Sequence, residues 1–287
     1  MQMIKRFSDE RINTFGIKYK NYEIPCIIIK PKNITKNTKI FFYNGGMGIT
    51  LNNVKIMDQY VFDEHYLVSF ERMEHGSNKS KASMFIKDYV KEMDCVIEYI
   101  KKEINLPITL IGESWGGATN FVYYTKHYDK IKNIVSWNIP SVILDPSPKP
   151  LKVKIGNYFK VLFTFLTNIT TYDKHAEEPV DKITNNPILI RTRVVTDNST
   201  SKNNKSALCA WQTFPKAFKT FKKLSNKAKP MYYIQTGEDY FYKAKKIQRL
   251  FSKIKDKKHC IFLPKGYHVL SFDPITGPKL LEIISKV

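Results

Sequence analysis

Apolar residues along this chain alternate between short continuous runs and sets spaced by three or four residues. A polar break at Asn21 separates strand-like segments 14–20 and 23–30, which predicts an antiparallel hairpin. Further runs predict buried strands at 39–43, 66–70, 108–111, 131–137, 231–235 and 259–263. The spaced sets predict amphipathic helices at 85–100, 243–254 and 278–285.

Strands that alternate with helices predict an α/β fold, in which helices cover both faces of a mostly parallel central sheet. The alternation stops after Pro140 and resumes at Pro230. We therefore expect residues 1–140 and 230–287 to form the core. Residues 141–229 are expected to form an inserted cap, or lid, over the edge of the sheet.

The charge balance is unusual, because 47 Lys and Arg residues against 26 Asp and Glu residues give a formal net charge of +21. A basic chain can attract nucleic acid, anionic lipid or acidic substrates. The lysines are spread along the whole chain among many Asn and Ile residues, a mixture that an AT-rich genome encodes. This spread and the lack of a nucleic-acid-binding motif argue against nucleic acid as a partner. Peripheral contact with an anionic membrane surface stays open.

The cysteines indicate a reducing environment, since they are far apart and form no CxxC pair: Cys26, Cys95, Cys209 and Cys260. We expect free thiols rather than disulfides or a zinc site. The first ten residues lack the apolar segment of a signal peptide, and no apolar stretch reaches the roughly 20 residues that span a bilayer. These features predict a cytoplasmic protein.

The strongest chemical signal is the segment Gly112-Glu113-Ser114-Trp115-Gly116, which follows a predicted strand and precedes a helical stretch. In a Gly-x-Ser-x-Gly elbow, the sharp strand-to-helix turn exposes the serine oxygen above the sheet. The two glycines are needed because a side chain at either position would collide with neighbouring backbone. This context predicts Ser114 as a nucleophile.

A nucleophilic serine needs a general base and an orienting acid, in the chain order Ser, Asp or Glu, then His. Of the four histidines after Ser114, His268 follows a predicted strand on a loop, where the base belongs. Asp239 follows the strand 231–235 and is the favoured acid, with its neighbour Glu238 as the rival. A loop aspartate can instead serve only as a turn former.

Two backbone N–H groups are expected to bind the oxyanion that forms during acyl transfer. One belongs to Trp115, the residue after the nucleophile. The other should come from the glycine-rich turn 44–48 after an early strand, where we favour the N–H of Gly46, with Met47 as the alternative. The indole of Trp115 either shapes a substrate pocket or serves packing alone.

Between residues 41 and 269 the chain resembles the monoacylglycerol lipase and lysophospholipase branch of the α/β-hydrolases. The resemblance rests on Tyr43-Asn44-Gly45-Gly46, Glu71-Arg72-Met73-Glu74-His75-Gly76-Ser77, Ile111-Gly112-Glu113-Ser114-Trp115-Gly116-Gly117 and Tyr267-His268-Val269-Leu270. Three residues depart from the family pattern, since Asn44 and Glu113 replace histidines and Glu74 replaces a glycine. The departures remove no catalytic group, although they weaken any inference about the substrate.

The resemblance implies hydrolysis of carboxylic esters with an acyl chain beneath a cap. The expected triad would work through an acyl-enzyme and needs no cofactor or metal. The predicted cap contains an apolar stretch with interspersed lysines, 152–166. We expect it to pack onto the core, although it could line an acyl pocket or lie on a membrane. The alternatives are an acyl thioesterase or acyltransferase with the same triad, and a catalytically silent binding protein.

Overall fold

The computed structural model describes residues 10–46, 49–55, 63–139, 204–227, 230–237, 239, 248, 251–252, 259–266 and 277–287. In this part of the chain, eight strands form one sheet in the order β1-β2-β4-β3-β5-β6-β7-β8. The strands are β1 Ile12–Tyr19, β2 Tyr22–Ile29, β3 Ile40–Asn44, β4 Tyr66–Phe70, β5 Ile108–Glu113, β6 Asn133–Trp137, β7 Tyr232–Thr236 and β8 Cys260–Leu263. The helices are α1 Ile86–Glu103, α2 Ser114–His127, α3 Asn204–Ser225 and α4 Gly277–Ser285.

The sheet is parallel from β4 to β8, and the β1–β2 hairpin extends it as an antiparallel edge. From β3 the chain passes to β4, which lies on one side of β3 in the sheet. It then passes to β5, which lies on the other side of β3. Strand order therefore reverses at β3, where open α/β sheets form their ligand crevices. Asn44 pairs with Gly112 in the β3–β5 register, so both strands end at the same level.

Helices cover both faces of the sheet, because alternate strand residues point to opposite sides. Phe42 and Leu110 face one apolar cluster, which includes buried residues of α1, α2 and α3. Phe41 and Ile111 face a second cluster, which α4 closes. None of the helices in the described ranges is both long and apolar enough to cross a membrane.

The strand predictions are confirmed, with ends that shift by at most two residues. β5 continues through Glu113, because the strand runs directly into the turn at Ser114. The predicted helix 85–100 is α1, and the predicted C-terminal helix is α4. The predicted helix 243–254 lies mostly outside the described residues.

Helix α3 lies within the range predicted as the cap, and its buried side chains pack onto the core. The ring of Phe221 is 5.2 Å from that of Phe121 on α2 and 5.4 Å from that of Tyr233 on β7, between ring centroids. Residues 141–203 lie outside the described residues. The division between core and cap stays a prediction.

A buried carboxylate on α1 anchors the loop after β4. Glu92 accepts hydrogen bonds from the hydroxyl of Tyr22 (3.0 Å), the backbone N–H of Met73 (3.0 Å) and the amide of Asn78 (3.1 Å). Its side chain has no solvent exposure, and this burial raises its pKa to about 7 despite the three donors. Glu92 thus fixes both ends of the segment 73–78 to the helix behind it.

Replacement of Phe221 by Ala should destabilise the protein by roughly 3–5 kcal/mol, because it leaves a cavity between α3, α2 and β7. The adjacent, exposed Lys222 provides the control, and Lys222→Ala should change stability by less than roughly 0.5 kcal/mol. Urea denaturation followed by circular dichroism measures both free energies of unfolding. Equal effects of the two variants would show that α3 is not packed on the core.

The raised pKa of Glu92 predicts a pH-dependent stability. Because the folded protein binds this proton more tightly than the unfolded chain, the contribution of Glu92 falls as pH rises from about 4.5 to about 7. The amide introduced by Glu92→Gln does not titrate. The unfolding free energy of wild type minus that of Glu92→Gln should therefore fall by roughly 3 kcal/mol across this window.

The exposed Glu103, at the end of the same helix, provides a control for the loss of one negative charge. Glu103→Gln should leave the pH dependence of the wild type in place. A difference between wild type and Glu92→Gln that stays constant from pH 4.5 to pH 8 would contradict the assignment.

Candidate active site

Ser114 lies at the junction of β5 and α2, where the chain turns from strand to helix with no intervening loop. Its φ is 50°, in the left-handed region that non-glycine residues rarely adopt. Such backbone strain persists only where the surrounding structure holds it, and it is frequent at functional sites. The carboxyl edge of the sheet therefore presents a serine on a tight, strained turn.

The glycines on either side of Ser114 are required by the approach of the turn after β3. A Cβ atom on Gly116 would overlap the carbonyl oxygens of Asn44 and Gly45. A Cβ atom on Gly112 would lie 2.6 Å from the Asn44 oxygen. The two glycines of the motif are therefore needed because the turn after β3 packs directly against the turn at Ser114.

The turn after β3 places Gly46 directly beside Ser114. A Cβ atom built on Gly46 would lie 3.3 Å from the Cβ atom of Ser114. Arg72, from the loop after β4, donates hydrogen bonds through Nη2 to the carbonyl oxygens of Gly45 and Gly46. Met47, the alternative oxyanion donor, lies outside the described residues.

The indole of Trp115 is fully buried between charged and aromatic side chains. The Arg72 guanidinium lies 4.5 Å from the centre of the Trp115 ring, and the rings of Tyr89 and His75 lie 4.9 Å and 5.7 Å away. Burial lowers the pKa of Arg72 to about 10, so this side chain stays cationic at neutral pH. Burial, together with Arg72, lowers the pKa of His75 to about 3, so His75 is neutral.

Glu113, immediately before Ser114, is also buried and has two neutral donors. The hydroxyl of Tyr43 donates to Oε1 over 2.9 Å, and the indole Nε1 of Trp137 donates to Oε2 over 3.1 Å. The Tyr43 and Trp137 rings stack with centroids 6.2 Å apart. This carboxylate therefore ties the elbow to β3 and β6, on the face opposite Trp115.

Asp239 lies after β7 at the same edge of the sheet and is only 2% exposed. The amide of Gln235 donates to Oδ2 of Asp239 over 3.1 Å. Gln235 is held in turn by the oxygen of Asn138 (3.2 Å) and the hydroxyl of Tyr233 (3.1 Å). Asn138 itself has a φ of 47° and also accepts hydrogen bonds from Thr236.

The structure thus gathers five of the predicted site residues around one turn and puts Asp239 two strands away: Ser114, Trp115, Gly46, Gly112 and Gly116. His268 and the rival acid Glu238 lie outside the described residues. Within the described part of the chain, no group of three His, Cys, Asp or Glu side chains is arranged to hold a metal ion.

Sequence reasoning missed Arg72 and the Asn138–Gln235 pair. Arg72 lies in the quoted 71–77 segment, but a loop sequence does not tell which side chain turns inward. Asn138 could have been noticed, because it comes directly after a predicted buried strand and Asn tolerates a positive φ.

Residues 75–275 match the family model described as serine aminopeptidase, S33. A comparison with curated proteins gave no match. Solved structures of several hydrolases share the fold. A monoglyceride lipase from Saccharomyces cerevisiae, a soluble variant bound to a substrate analogue, has a TM-score of 0.69 at 12% identity, covering 100% of this chain and 97% of that one.

The α/β-hydrolase MGS-M2, from a Medee basin deep-sea metagenome library, has a TM-score of 0.66 at 15% identity, covering 94% of this chain and 95% of that one. A Paleococcus ferrophilus monoacylglycerol lipase has a TM-score of 0.60 at 18% identity, covering 86% and 92%. These likenesses confirm the predicted α/β-hydrolase fold. With the family match over most of its length, this chain belongs to the serine aminopeptidase S33 family of α/β-hydrolases.

Proposed function

We propose that this hydrolase cleaves carboxylic esters of acyl chains, similar to monoacylglycerols or lysophospholipids, through an acyl-enzyme on Ser114. The observation that carries the proposal is the position of Ser114. It lies on a strained turn at the carboxyl end of β5, with Gly46 beside it and α2 starting at it. The nucleophile elbow of a serine hydrolase has this arrangement of strand, strained serine and helix.

In the proposed mechanism, His268 accepts the proton of Ser114 as the serine oxygen attacks the carbonyl carbon. The N–H groups of Trp115 and Gly46 bind the oxyanion, and His268 then donates its proton to the leaving alkoxide. Water activated by His268 attacks the acyl-enzyme and releases the acid. Asp239 orients the imidazole and stabilises its charged form.

The start of α2 supports the electrostatic part of this mechanism. The first N–H groups of a helix have no intrahelical acceptor, and the helix dipole favours negative charge there. Trp115 is the second residue of α2, so its N–H is one of these unpaired donors. Met47 remains the alternative to Gly46 as the second donor.

The hydrogen bond from Gln235 supports the role of Asp239. The orienting carboxylate must keep a fixed orientation, because it sets the orientation of the imidazole. The hydrogen bond from Gln235 to Oδ2 restricts the orientation of the Asp239 carboxylate. Gln235 is itself held by buried hydrogen bonds with Tyr233 and Asn138. No cofactor or metal takes part in the proposed reaction.

The substrate assignment draws on the two monoacylglycerol lipases that share the fold. A small lipid ester is the proposed substrate, and the net charge of +21 suits its presentation on an anionic membrane surface. All four cysteines are free thiols, which suits a reducing cytoplasm.

Replacement of Ser114 by Ala should lower ester hydrolysis by about 10⁴-fold or more, because it removes the nucleophile. Release of p-nitrophenol from esters of increasing acyl length measures the effect, and circular dichroism checks the fold. We expect wild-type activity to rise toward medium or long chains. Near-normal turnover by Ser114→Ala would overturn the proposal.

The same assay should include an acyl-coenzyme A thioester and an aminoacyl p-nitroanilide. Ser114-dependent activity on the thioester alone would identify a thioesterase instead of an esterase. Activity on the anilide alone would identify a peptidase.

Replacement of Asp239 by Asn should lower kcat by about 10³- to 10⁴-fold, because the imidazole loses the carboxylate that fixes its tautomer. Glu238→Gln provides the matched control, since it makes the same chemical change at the adjacent residue. Steady-state kinetics of both variants decide between the two acids. A larger loss in Glu238→Gln would transfer the role to Glu238.

A further inference from the structure

We propose that Arg72 is a positioning residue that fixes both halves of the oxyanion hole. One guanidinium contacts the turn after β3 and the residue after the nucleophile, and so sets the spacing between the two N–H donors. The inference rests on the proposed function, because it assigns Trp115 and Gly46 the role of oxyanion donors.

The first contact acts through the planarity of the peptide bond. Nη2 of Arg72 donates to the carbonyl oxygens of Gly45 and Gly46, the latter over 3.0 Å. The Gly45 carbonyl and the Gly46 N–H belong to one peptide group and point in opposite directions. When Arg72 holds the carbonyl, it therefore directs the N–H of Gly46 away from itself.

The second contact fixes the other half of the hole. The guanidinium carbon of Arg72 lies 4.5 Å from the centre of the Trp115 ring, a cation–π distance. Tyr89 packs against the same indole at 4.9 Å. Trp115 is therefore held between an aromatic ring and a cation that also holds the turn.

The charge of Arg72 adds an electrostatic effect to this geometry. A cation on a carbonyl oxygen polarises the peptide group and makes its N–H a stronger donor. Arg72 keeps its charge at neutral pH, since its pKa falls only to about 10. The developing oxyanion thus faces an N–H group that has a positive charge on its far side.

Stability alone does not explain an arginine at this position. Its guanidinium is buried against two carbonyls and an indole, and its Nη1 has no hydrogen-bond partner among the described residues. A buried cation of this kind costs free energy, and an apolar residue of similar volume is often neutral or stabilising. Only six of the 47 basic residues in the chain are arginines. Arginine suits this position better than lysine, because its planar guanidinium can stack on the indole while Nη2 donates to the two carbonyls.

The loop that contains Arg72 also has anchors of its own. Glu92 holds Met73 and Asn78, and Asn78 donates to the carbonyl oxygen of Glu71 over 2.7 Å. The Glu71 carboxylate accepts the N–H of Leu51 over 3.0 Å. These anchors of the loop do not involve the Arg72 guanidinium.

The test is a series at one position: Arg72→Lys, Arg72→Gln and Arg72→Met. Asn78→Ala is the control, because it loosens the same loop without touching the turn after β3. The first readout is the rate at which a fluorophosphonate labels Ser114, since its phosphoryl oxygen occupies the oxyanion hole. The others are kcat and KM on the best ester and the melting temperature.

We expect Arg72→Met to lower both kcat and the labelling rate by about 10- to 100-fold, because the donors lose their orientation. KM should stay within about twofold, since the ground state does not use the hole. The melting temperature should not fall. Arg72→Lys and Arg72→Gln should lie between wild type and Arg72→Met, and Asn78→Ala should keep a near-normal kcat.

Unchanged kcat and labelling in Arg72→Met would overturn this inference alone, provided that Ser114→Ala abolishes labelling. A loss of kcat in Asn78→Ala as large as that in Arg72→Met would also overturn the inference. Arg72 would then have a purely structural role. Folded wild type that no fluorophosphonate labels would overturn the proposed function, and this inference with it. If Arg72→Met does not fold, Arg72→Lys and Arg72→Gln decide by the same criteria.

Discussion

The turn after β3 and the elbow after β5 lie so close together that no side chain fits between them. The carbonyl oxygens of Asn44 and Gly45 occupy the space that a Cβ atom on Gly116 would need. The contact follows from the parallel register, in which Asn44 pairs with Gly112 and the two strands end at the same level. The strained backbone of Ser114 and the position of Gly46 both depend on it, because each segment limits where the other can go.

Buried polar groups surround this contact on both faces of the sheet. Arg72 lies on the side of α1 and α2, whereas the Glu113 carboxylate meets the Tyr43 and Trp137 rings on the side closed by α4. Both side chains are removed from water and held by hydrogen bonds, and burial of such groups costs more free energy than apolar packing. These buried polar groups lie together at one edge of the sheet. They fix the geometry there at a cost in stability.

The strands and the elbow at Ser114 could be predicted because both are local patterns. Apolar runs reveal strands buried on two faces, and a glycine on each side of a serine reports a turn that excludes side chains. The partners of the site could not be predicted in this way. The sequence shows that Asn44 replaces a histidine of the family, but not that its amide donates to Asn120 on α2. Arg72 and Gln235 were missed for the same reason, since the direction of a side chain depends on packing between distant segments.

The hydrogen bonds of Glu113 also limit how this site can change in evolution. A histidine, the usual family residue, has no pair of acceptors for the hydroxyl of Tyr43 and the indole of Trp137. A single step from Glu113 to His would remove the present acceptor of at least one of these two donors. The three positions are therefore epistatic, and a lineage can exchange the residue before the nucleophile only if β3 and β6 change with it.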